Sequence, residues 1–547
     1  MHPIDWAVLA FTLAAIIGYG IWVTVRRSSS EELLVGQKNV GMWTVGLGIM
    51  ATQASAITFL STPGQAYTSG MGFIQFYFGM PIAVVLVSAY FLPAYRARKA
   101  ATAYEFLEHR FDRRVRLLTA ALFLASRGLA AGITIYAPAI VLSAALNAPL
   151  QWTTLIIGAA VIVYTVSGGS AAVAVTQKLQ MTIILVGMGV ATYILIRELP
   201  VGVGEAFELA GHMGKLKIVD TSFDPSTRYT LWSGLAGGLF LSLSYFGTDQ
   251  SQVQRYLGAG ELKTSRMGLL FNGVFKVPMQ FAILGIGVLL FVFYQFIQPP
   301  IFFNTAEEAR ASAEVKAELV QYKDQWTQLH AEKKAALVRG NLIAWRSVND
   351  QMAEVRNNYL SVAEAGIPGF ERKDADFVFL TFVLNYLPIG LVGLLLAVIL
   401  SAAMSSTAGE VTALSTTTYV DYIRTLWSGA PSGPGFIRIL TSFWGIAALI
   451  VALVAPLFDN LIQLVNVLGS IFYGTILGVF ITALFFKKIG AKAVFLAALL
   501  AQGTIVLLHV LNSSGAISLG YLWYNVIGAI LVIAISLLIQ SWHRQKD

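Results

Sequence analysis

Ala402-Ala403-Met404-Ser405-Ser406-Thr407-Ala408-Gly409-Glu410 places two adjacent hydroxyls, and then a carboxylate, inside an apolar block covering residues 377–423. Hydrocarbon offers no hydrogen-bond partner, so clustered polar side chains at that depth must face a cavity, a bound ion or another helix. The stretch therefore fixes both the membrane character of the chain and the place to look for its function.

The remaining composition agrees. Of 547 residues, 56% are hydrophobic and only 12% charged, the mean hydropathy is +0.69, and the apolar residues come in long blocks rather than at the period of a half-buried strand or helix. A net charge of +8 could suggest nucleic acid, but the basic residues sit in short loops between apolar blocks, where they set topology. Cysteine is absent, which excludes disulfides and thiolate-bound metal. The first block, residues 6–25, has no basic region before it and no small-residue cleavage site, so it reads as a retained helix rather than a signal peptide.

About thirteen spans are predicted, near 5–25, 41–67, 71–95, 115–145, 152–167, 171–197, 228–251, 266–297, 377–423, 436–457, 460–486, 490–511 and 519–541. Gly168-Gly169 reads as the turn between two of them. Lys and Arg collect in alternate loops: Arg26, Arg27 and Lys38; Arg96 to Arg116; Lys263 and Arg266; Arg424 and Arg438; Lys487, Lys488 and Lys492; Arg544 and Lys546. The positive-inside rule then puts the N-terminus outside and the C-terminus in the cytoplasm, in a multi-pass cell-membrane protein. Three regions follow: spans one to eight in 1–297, a soluble-looking insertion in 298–376, and the remaining spans in 377–547. The insertion is rich in Ala, Glu, Lys and Gln, the composition of helices in water, and is expected to form an extracytoplasmic hairpin broken near Arg339-Gly340-Asn341.

The second span is also unusual. Its Gly46-Leu47-Gly48-Ile49-Met50-Ala51-Thr52-Gln53-Ala54-Ser55-Ala56-Ile57-Thr58 run mixes glycine and hydroxyl residues where a plain span would carry Leu and Ile. A helix of that kind can unwind where it lines a cavity, freeing carbonyls. Carbonyls together with the Ser405 and Ser406 hydroxyls make a small, nearly neutral, oxygen-only site suited to a monovalent cation such as sodium, whereas a divalent ion calls for several carboxylates. The competing reading is that the small hydroxyl residues only let helices pack closely.

Several ordered segments, residues 46–67, 102–111, 135–139, 164–169, 249–255 and the Ser405-Ser406 helix, resemble the sodium:solute symporter family along nearly all of the chain outside the insertion. Members of that family carry galactose, proline, iodide, sialic acid, monocarboxylates, or pantothenate and biotin. The resemblance implies an all-α, leucine-transporter-type core of two inverted five-helix repeats, starting at the 41–67 and 228–251 spans, with ion and solute held at two broken helices. It also implies a sodium site at the carbonyls of Ala51, Ala54 and Ala402 and the hydroxyls of Ser405 and Ser406. The implied solute-facing positions are Gln53, Ile57, Thr58, Ser242, Tyr245, Asp249, Lys276 and Asn466.

Departures from the family pattern sharpen the expectation. Sugar carriers have an acid and an amide where this chain has Ile57 and Thr58, which disfavours hexoses, and the 55–60 and 135–139 segments look more like the anion and vitamin carriers. Arg127 lies among apolar neighbours with a fixed five-donor fork that suits a solute carboxylate, the alternative being a protein carboxylate or a snorkelling side chain. Relatives carry a Thr-Asp-x-x-Gln pattern where this chain reads Thr176-Gln177-Lys178-Leu179-Gln180, and the positions that help hold an additional sodium in sialic-acid-type members fall on Ala408 and Gly409. A second sodium in that form is therefore not expected. Lys178 and Glu410 lie at similar depth, which predicts an intramembrane ion pair standing where relatives bind the extra cation.

The expected function is sodium-coupled secondary active symport of a small organic solute, a carboxylate or similar anion, by alternating access across the lipid bilayer, with no role for nucleic acid. The alternatives are proton-coupled or sodium-independent transport of a neutral solute such as a sugar and, from another class, a transporter-like sensor. An enzyme has no support, since no nucleophile–base pair, metal cluster or phosphate loop is present in the sequence.

Overall fold

The structure is a computed structural model that describes all residues except 26–40, 54–55, 99, 147, 259–260, 455–460 and 545–547. Because hydrocarbon cannot satisfy backbone polar groups, the apolar blocks fold as helices that pair their own N–H and C=O groups. In chain order these are α1 (Pro3–Val25), α2 (Met42–Gln53), α3 (Ala56–Ser69), α4 (80–97), α5 (Ala103–Arg110), α6 (Arg113–Leu146), α7 (Leu150–Glu198) and α8 (Val203–His212). They continue with α9 (Gly238–Gly247), α10 (Gln250–Leu257), α11 (Leu262–Phe296), α12 (Thr305–Ala309), α13 (Ala313–Val338), α14 (Leu342–Gly366) and α15 (Val378–Tyr386). The last are α16 (Leu391–Thr417), α17 (Pro434–Val454), α18 (Leu461–Phe485), α19 (Ala491–Ser513) and α20 (Leu522–Arg544).

Among the described residues, 10 helical stretches are long and apolar enough to cross a membrane. The predicted spans at 5–25 and 228–251 fall outside that set, the latter because it is interrupted at Thr248, and residues 54–55 of the predicted 41–67 span lie outside the described residues. The core is a pair of inverted five-helix repeats, one from α2 to α7 and one from the π-helical turn Ser233–Gly237 before α9 to α18. At its centre α16 is buried almost throughout and packs on α1, α6, α7, α10 and α17. Its Ala, Gly, Ser and Thr residues allow that many neighbours to come close.

The second repeat opens with a broken helix, and the polar groups at that break are finished differently from those at the end of α2. In the second repeat α9 ends at Gly247, and Asp249 caps α10 by accepting from Ser251 N at 2.9 Å. The carbonyls freed there are all taken by tyrosine hydroxyls: Tyr95 donates to Gly247 O at 2.5 Å, Tyr104 to Thr248 O at 2.9 Å, and Tyr256 to Phe246 O. In the first repeat α2 ends at Gln53 and α3 starts at Ala56. There the Ala51 carbonyl accepts from Ser406 Oγ on α16 at 3.2 Å, and Gln53 O accepts from Thr58 Oγ1 at 3.3 Å.

Two sequence expectations need correction. The 377–423 span is two helices, α15 and α16, separated at Leu387-Pro388 and at Gly390, whose φ is +90°. A residue before proline avoids the helical region, and a left-handed φ requires glycine. The start of α16 is capped instead by Asp5 of α1, whose Oδ1 accepts from Gly390 N at 2.6 Å and from Gly393 N at 3.2 Å. Secondly, the backbone stays helical through Gly168 and Gly169, where a turn was expected, so α7 carries two span-length stretches of the first repeat, Leu150–Ser167 and Gln180–Glu198, in one continuous helix. Glycine permits a turn but does not compel one.

The 298–376 region folds as a hairpin of α13 and α14, each N-terminus capped by a side chain: Ser312 Oγ accepts from Val315 N at 3.3 Å, and Asn341 Oδ1 from Ala344 N at 3.0 Å. Leu319, Tyr359, Leu360 and Ala363 give it a small core with Ile301 and Phe302. It is moored to the end of α11 by Trp345 Nε1 donating to Gln295 Oε1 at 3.3 Å and by His330 against Tyr294 O at 3.2 Å. Arg356 then joins Ile301 O, at 3.0 Å, to Asp374 Oδ1, at 2.6 Å, while Asp374 Oδ2 accepts from Phe303 N at 2.8 Å. Directly after Asp374, the 3-10 turn Ala375–Phe377 lies on α3 so closely that a Cβ at Gly64 would run into the Ala375 carbonyl.

Candidate functional site

Of the two adjacent hydroxyls on α16, Ser406 sits against the end of α2. Ser406 bonds to Ala51 O, whereas Ser405 Oγ is buried, at 1% residue exposure, and has no hydrogen-bond partner among the described residues. An unpartnered buried hydroxyl costs about 1–3 kcal/mol, and an oxygen left in that condition beside a carbonyl and a second hydroxyl has the donor chemistry for a monovalent cation. Ala402 precedes Ser406 by one turn on α16, and Ala54 lies outside the described residues. The residue standing where relatives have the aspartate is engaged otherwise: Gln177 is fully buried and donates from Nε2 to Thr52 Oγ1 at 3.1 Å. Gly409 is a close-approach site, because a Cβ there would meet the Arg255 guanidinium.

Next to this region lies a cavity of about 110 Å³. It brings together seven of the residues singled out from sequence: Gln53, Thr58, Arg127, Ser242, Tyr245, Glu410 and Asn466, with Ile57 beside them. Two others stand behind the wall. Asp249 reaches the cavity through Arg127 and Tyr473, and Lys276 is fully buried with its Nζ 5.9 Å from the Tyr77 ring centroid and no hydrogen-bond partner among the described residues. Sequence reading missed Thr134 and Tyr473, which also line it. Each lies seven positions after a residue it did find, Arg127 and Asn466, on the same helix face, and that spacing was the available signal.

Arg127 was expected to await a solute carboxylate; here its fork is held by two carboxylates of the chain. Nη1 donates to Glu410 Oε1 at 3.0 Å, and Nη2 to both Asp249 Oδ2 and the Tyr473 hydroxyl. Only its Nε is unpartnered. Tyr473 also donates to Asp249 Oδ2 at 2.8 Å, and the guanidinium carbon lies 5.5 Å from the Tyr245 ring centroid. The other Glu410 oxygen accepts from Thr134 Oγ1 at 2.9 Å. Both oxygens of Glu410 are thus used without Lys178, which lies on α7 with its side chain outside the described residues. Equal depth fixes height in the membrane but not direction around the helix, so it did not single out Arg127 as the partner.

A second titratable cluster, with its carboxyls outside the spans, lies where α6 meets the chain leaving the hairpin. Tyr136 donates to Glu371 Oε1 at 3.3 Å, and Glu307 is paired with Arg310 at 2.6 Å nearby. Burial, with the Glu307 charge adding to it, pushes the Glu371 carboxyl up to about 7.

The model of the sodium:solute symporter family matches residues 33–321 and 355–501. The chain belongs to that family. Among curated members it is 32% identical over 302 residues to the human sodium/iodide cotransporter, covering 54% of this chain and 46% of that protein. It is 29% identical over 271 residues to the bovine sodium-coupled monocarboxylate transporter 2, covering 49% and 44%. The match thus spans about half the length of those two members. The sodium/sialic acid symporter of Proteus mirabilis is matched at 24% identity over 97% of this chain and 93% of its own. A solved Na⁺-coupled sialic acid symporter, substrate-bound and outward-open, superposes with a TM-score of 0.75 at 23% identity over 99% of this chain and 98% of that one. That likeness establishes the fold.

Proposed function

We propose that this chain is a sodium-coupled symporter that moves a small organic solute bearing a carboxylate across the cell membrane by alternating access. The observation that carries the reading is the buried Ser405 hydroxyl, without a partner among the described residues, beside the Ser406–Ala51 contact. A cation there would tie α16 to the end of α2 and so favour one arrangement of the bundle around the adjacent cavity. Family membership and the sodium-coupled relatives support the same ion. The Ala51, Ala54 and Ala402 carbonyls with Ser405 and Ser406 form its shell; Gln53, Thr58, Ser242, Tyr245 and Asn466 line the solute site, with Asp249 and Lys276 behind it. No bond is made or broken in this cycle.

The cavity supports a solute of modest size. At roughly 10–15 Å³ per water-sized group, 110 Å³ accommodates roughly seven to eleven such groups. Arg127 is the cavity's cation and supplies the carboxylate preference through its planar fork. The loop charges support an N-terminus outside, a C-terminus in the cytoplasm and an extracytoplasmic hairpin. Proton coupling is the second reading, supported by the buried carboxylate of Glu410 in the cavity wall. Uptake of a radiolabelled panel into proteoliposomes separates the two: accumulation driven by a sodium gradient at equal pH supports sodium coupling, and accumulation driven only by a pH gradient replaces it.

A further inference from the structure

Arg127 and Glu410 are the charged residues that line the cavity among those described, and they are bonded to each other across its wall. Their carboxylate-bearing neighbour, Asp249, is fully used: Oδ1 accepts from Ser251 N and Oγ, and Oδ2 from Arg127 and Tyr473. A simple anion that takes the guanidinium at Nη1 would evict Glu410, and one that takes only the free Nε would still sit beside that buried carboxylate, so in either case Glu410 faces a second negative charge. Removing one partner of a buried ion pair leaves the other uncompensated, an outcome that disfavours such a complex strongly. A solute carrying both charges avoids this, because each half of the opened pair finds an opposite charge.

The lining supplies a second, independent pointer to a cationic group. Phe76, Tyr77, Tyr245, Phe246 and Tyr473 all face the cavity, and aromatic faces attract ammonium and quaternary ammonium groups, more strongly when water is excluded. The cavity thus offers an arginine fork, one carboxylate and an aromatic wall within a space sized for a solute of amino-acid dimensions.

We propose that the solute is a small zwitterion whose carboxylate takes Arg127, whose ammonium takes Glu410 and the aromatic wall, and whose entry exchanges partners with the Arg127–Glu410 pair. The proposal deepens the symporter reading above and rests on it for the identity of the solute site. In the empty cavity Glu410 stands in for the solute carboxylate, so the guanidinium never faces hydrocarbon alone. Thr134, which holds the second oxygen of Glu410, keeps that carboxylate at the wall after the pair opens.

The test uses the purified full-length protein in lipid nanodiscs, with binding measured by thermal shift and calorimetry in sodium. The probes are the proteinogenic amino acids and glycine betaine, each beside its deaminated acid and its decarboxylated amine. The expected result is that at least one zwitterion binds and both truncated counterparts bind at least tenfold more weakly. Glu410→Gln, which frees Arg127 from its internal competitor, should shift preference at least tenfold toward the deaminated acid. The matched pairs on the unmodified protein carry the test if that variant does not fold. A deaminated acid that binds as well as its parent overturns the proposal, as does a panel in which no zwitterion binds. Replacing sodium by potassium distinguishes the two levels. Zwitterion binding that ignores sodium counts against the coupling reading and leaves partner exchange standing, whereas sodium-dependent binding of a simple carboxylate or sugar keeps the coupling and overturns the exchange.

Discussion

The two repeats start with corresponding helix pairs, α2–α3 and α9–α10, yet the oxygens around them have opposite hydrogen-bond accounts. At the second break three tyrosines close the freed carbonyls of Phe246, Gly247 and Thr248, and Asp249 caps the helix that follows while bonding Arg127. At the end of α2 one serine reaches Ala51, and its neighbour Ser405 has no partner among the described residues. A site that must hold its shape through a transport cycle is finished internally. A site that must accept an ion and give it up keeps oxygens in reserve, and hydroxyls and carbonyls can wait at modest cost where a charge could not.

The harshest way to break that contrast is to unfinish the second site. Arg127→Met leaves Asp249 and Glu410 buried without their cation, and the expected loss is about 3–5 kcal/mol of folding stability, read by thermal unfolding in nanodiscs. Adding Glu410→Gln should restore part of it, since the two side chains share one interaction; strictly additive losses would show that they do not. A gentler version is Tyr104→Phe, which strips Thr248 O of its donor. It should lower stability by about 1–3 kcal/mol and leave the sodium dependence of uptake unchanged.

The first site should answer in the opposite currency. Ser405→Ala with Ser406→Ala is expected to reduce apparent sodium affinity at least tenfold, about 1.4 kcal/mol, while stability in sodium-free buffer moves by less than that. An unchanged sodium titration in the double variant would remove these hydroxyls from the mechanism.

Outside the membrane the contrast becomes one of pH. The Glu371 carboxyl is raised from 4.5 to about 7 beside Tyr136, so the folded protein binds a proton there that the unfolded chain releases. Its stability contribution is present below about pH 4.5, and it fades as pH rises through about 7. Partial exposure limits the change to on the order of 1 kcal/mol. Glu371→Gln should flatten the corresponding part of the pH–Tm profile, and an unaltered profile would assign the titration elsewhere.

The smallest effect on transport is expected from excising 313–366. The ends of that stretch already touch, since Gly366 packs against Val315, so a short polar linker can join them and keep Ile301–Phe303 and the Asp374 cap. Uptake should stay within about twofold, because loop closure depends weakly on length. Collapse of uptake in protein that still inserts normally would instead make the hairpin part of the gate.

The spans were legible because hydrocarbon imposes length and composition, and the Ser405-Ser406 pair because polar clusters are conspicuous there. What sequence could not supply was direction around a helix. Arg127 was recognised as a fork in need of a carboxylate, but its partners lie 122 and 283 residues away, and nothing local distinguishes them from a solute. The same ambiguity joined Glu410 to Lys178 on depth alone. The 377–423 span was read whole because Leu387-Pro388 and Gly390 are brief interruptions in an apolar run, and a window average passes over them.

Asp5 adds a constraint on the order in which the protein is made. The carboxylate that caps the start of α16 belongs to α1, and its partner amide at Gly390 lies 385 residues later. At roughly 5–20 residues per second of synthesis, that amide emerges roughly 20–80 s after the acid it needs. For that interval α1 carries an acidic group whose final lodging does not yet exist. The first helix can pack on α7 early, but its acid finds the α16 amides, and the cap is completed, only after more than two-thirds of the chain has been translated.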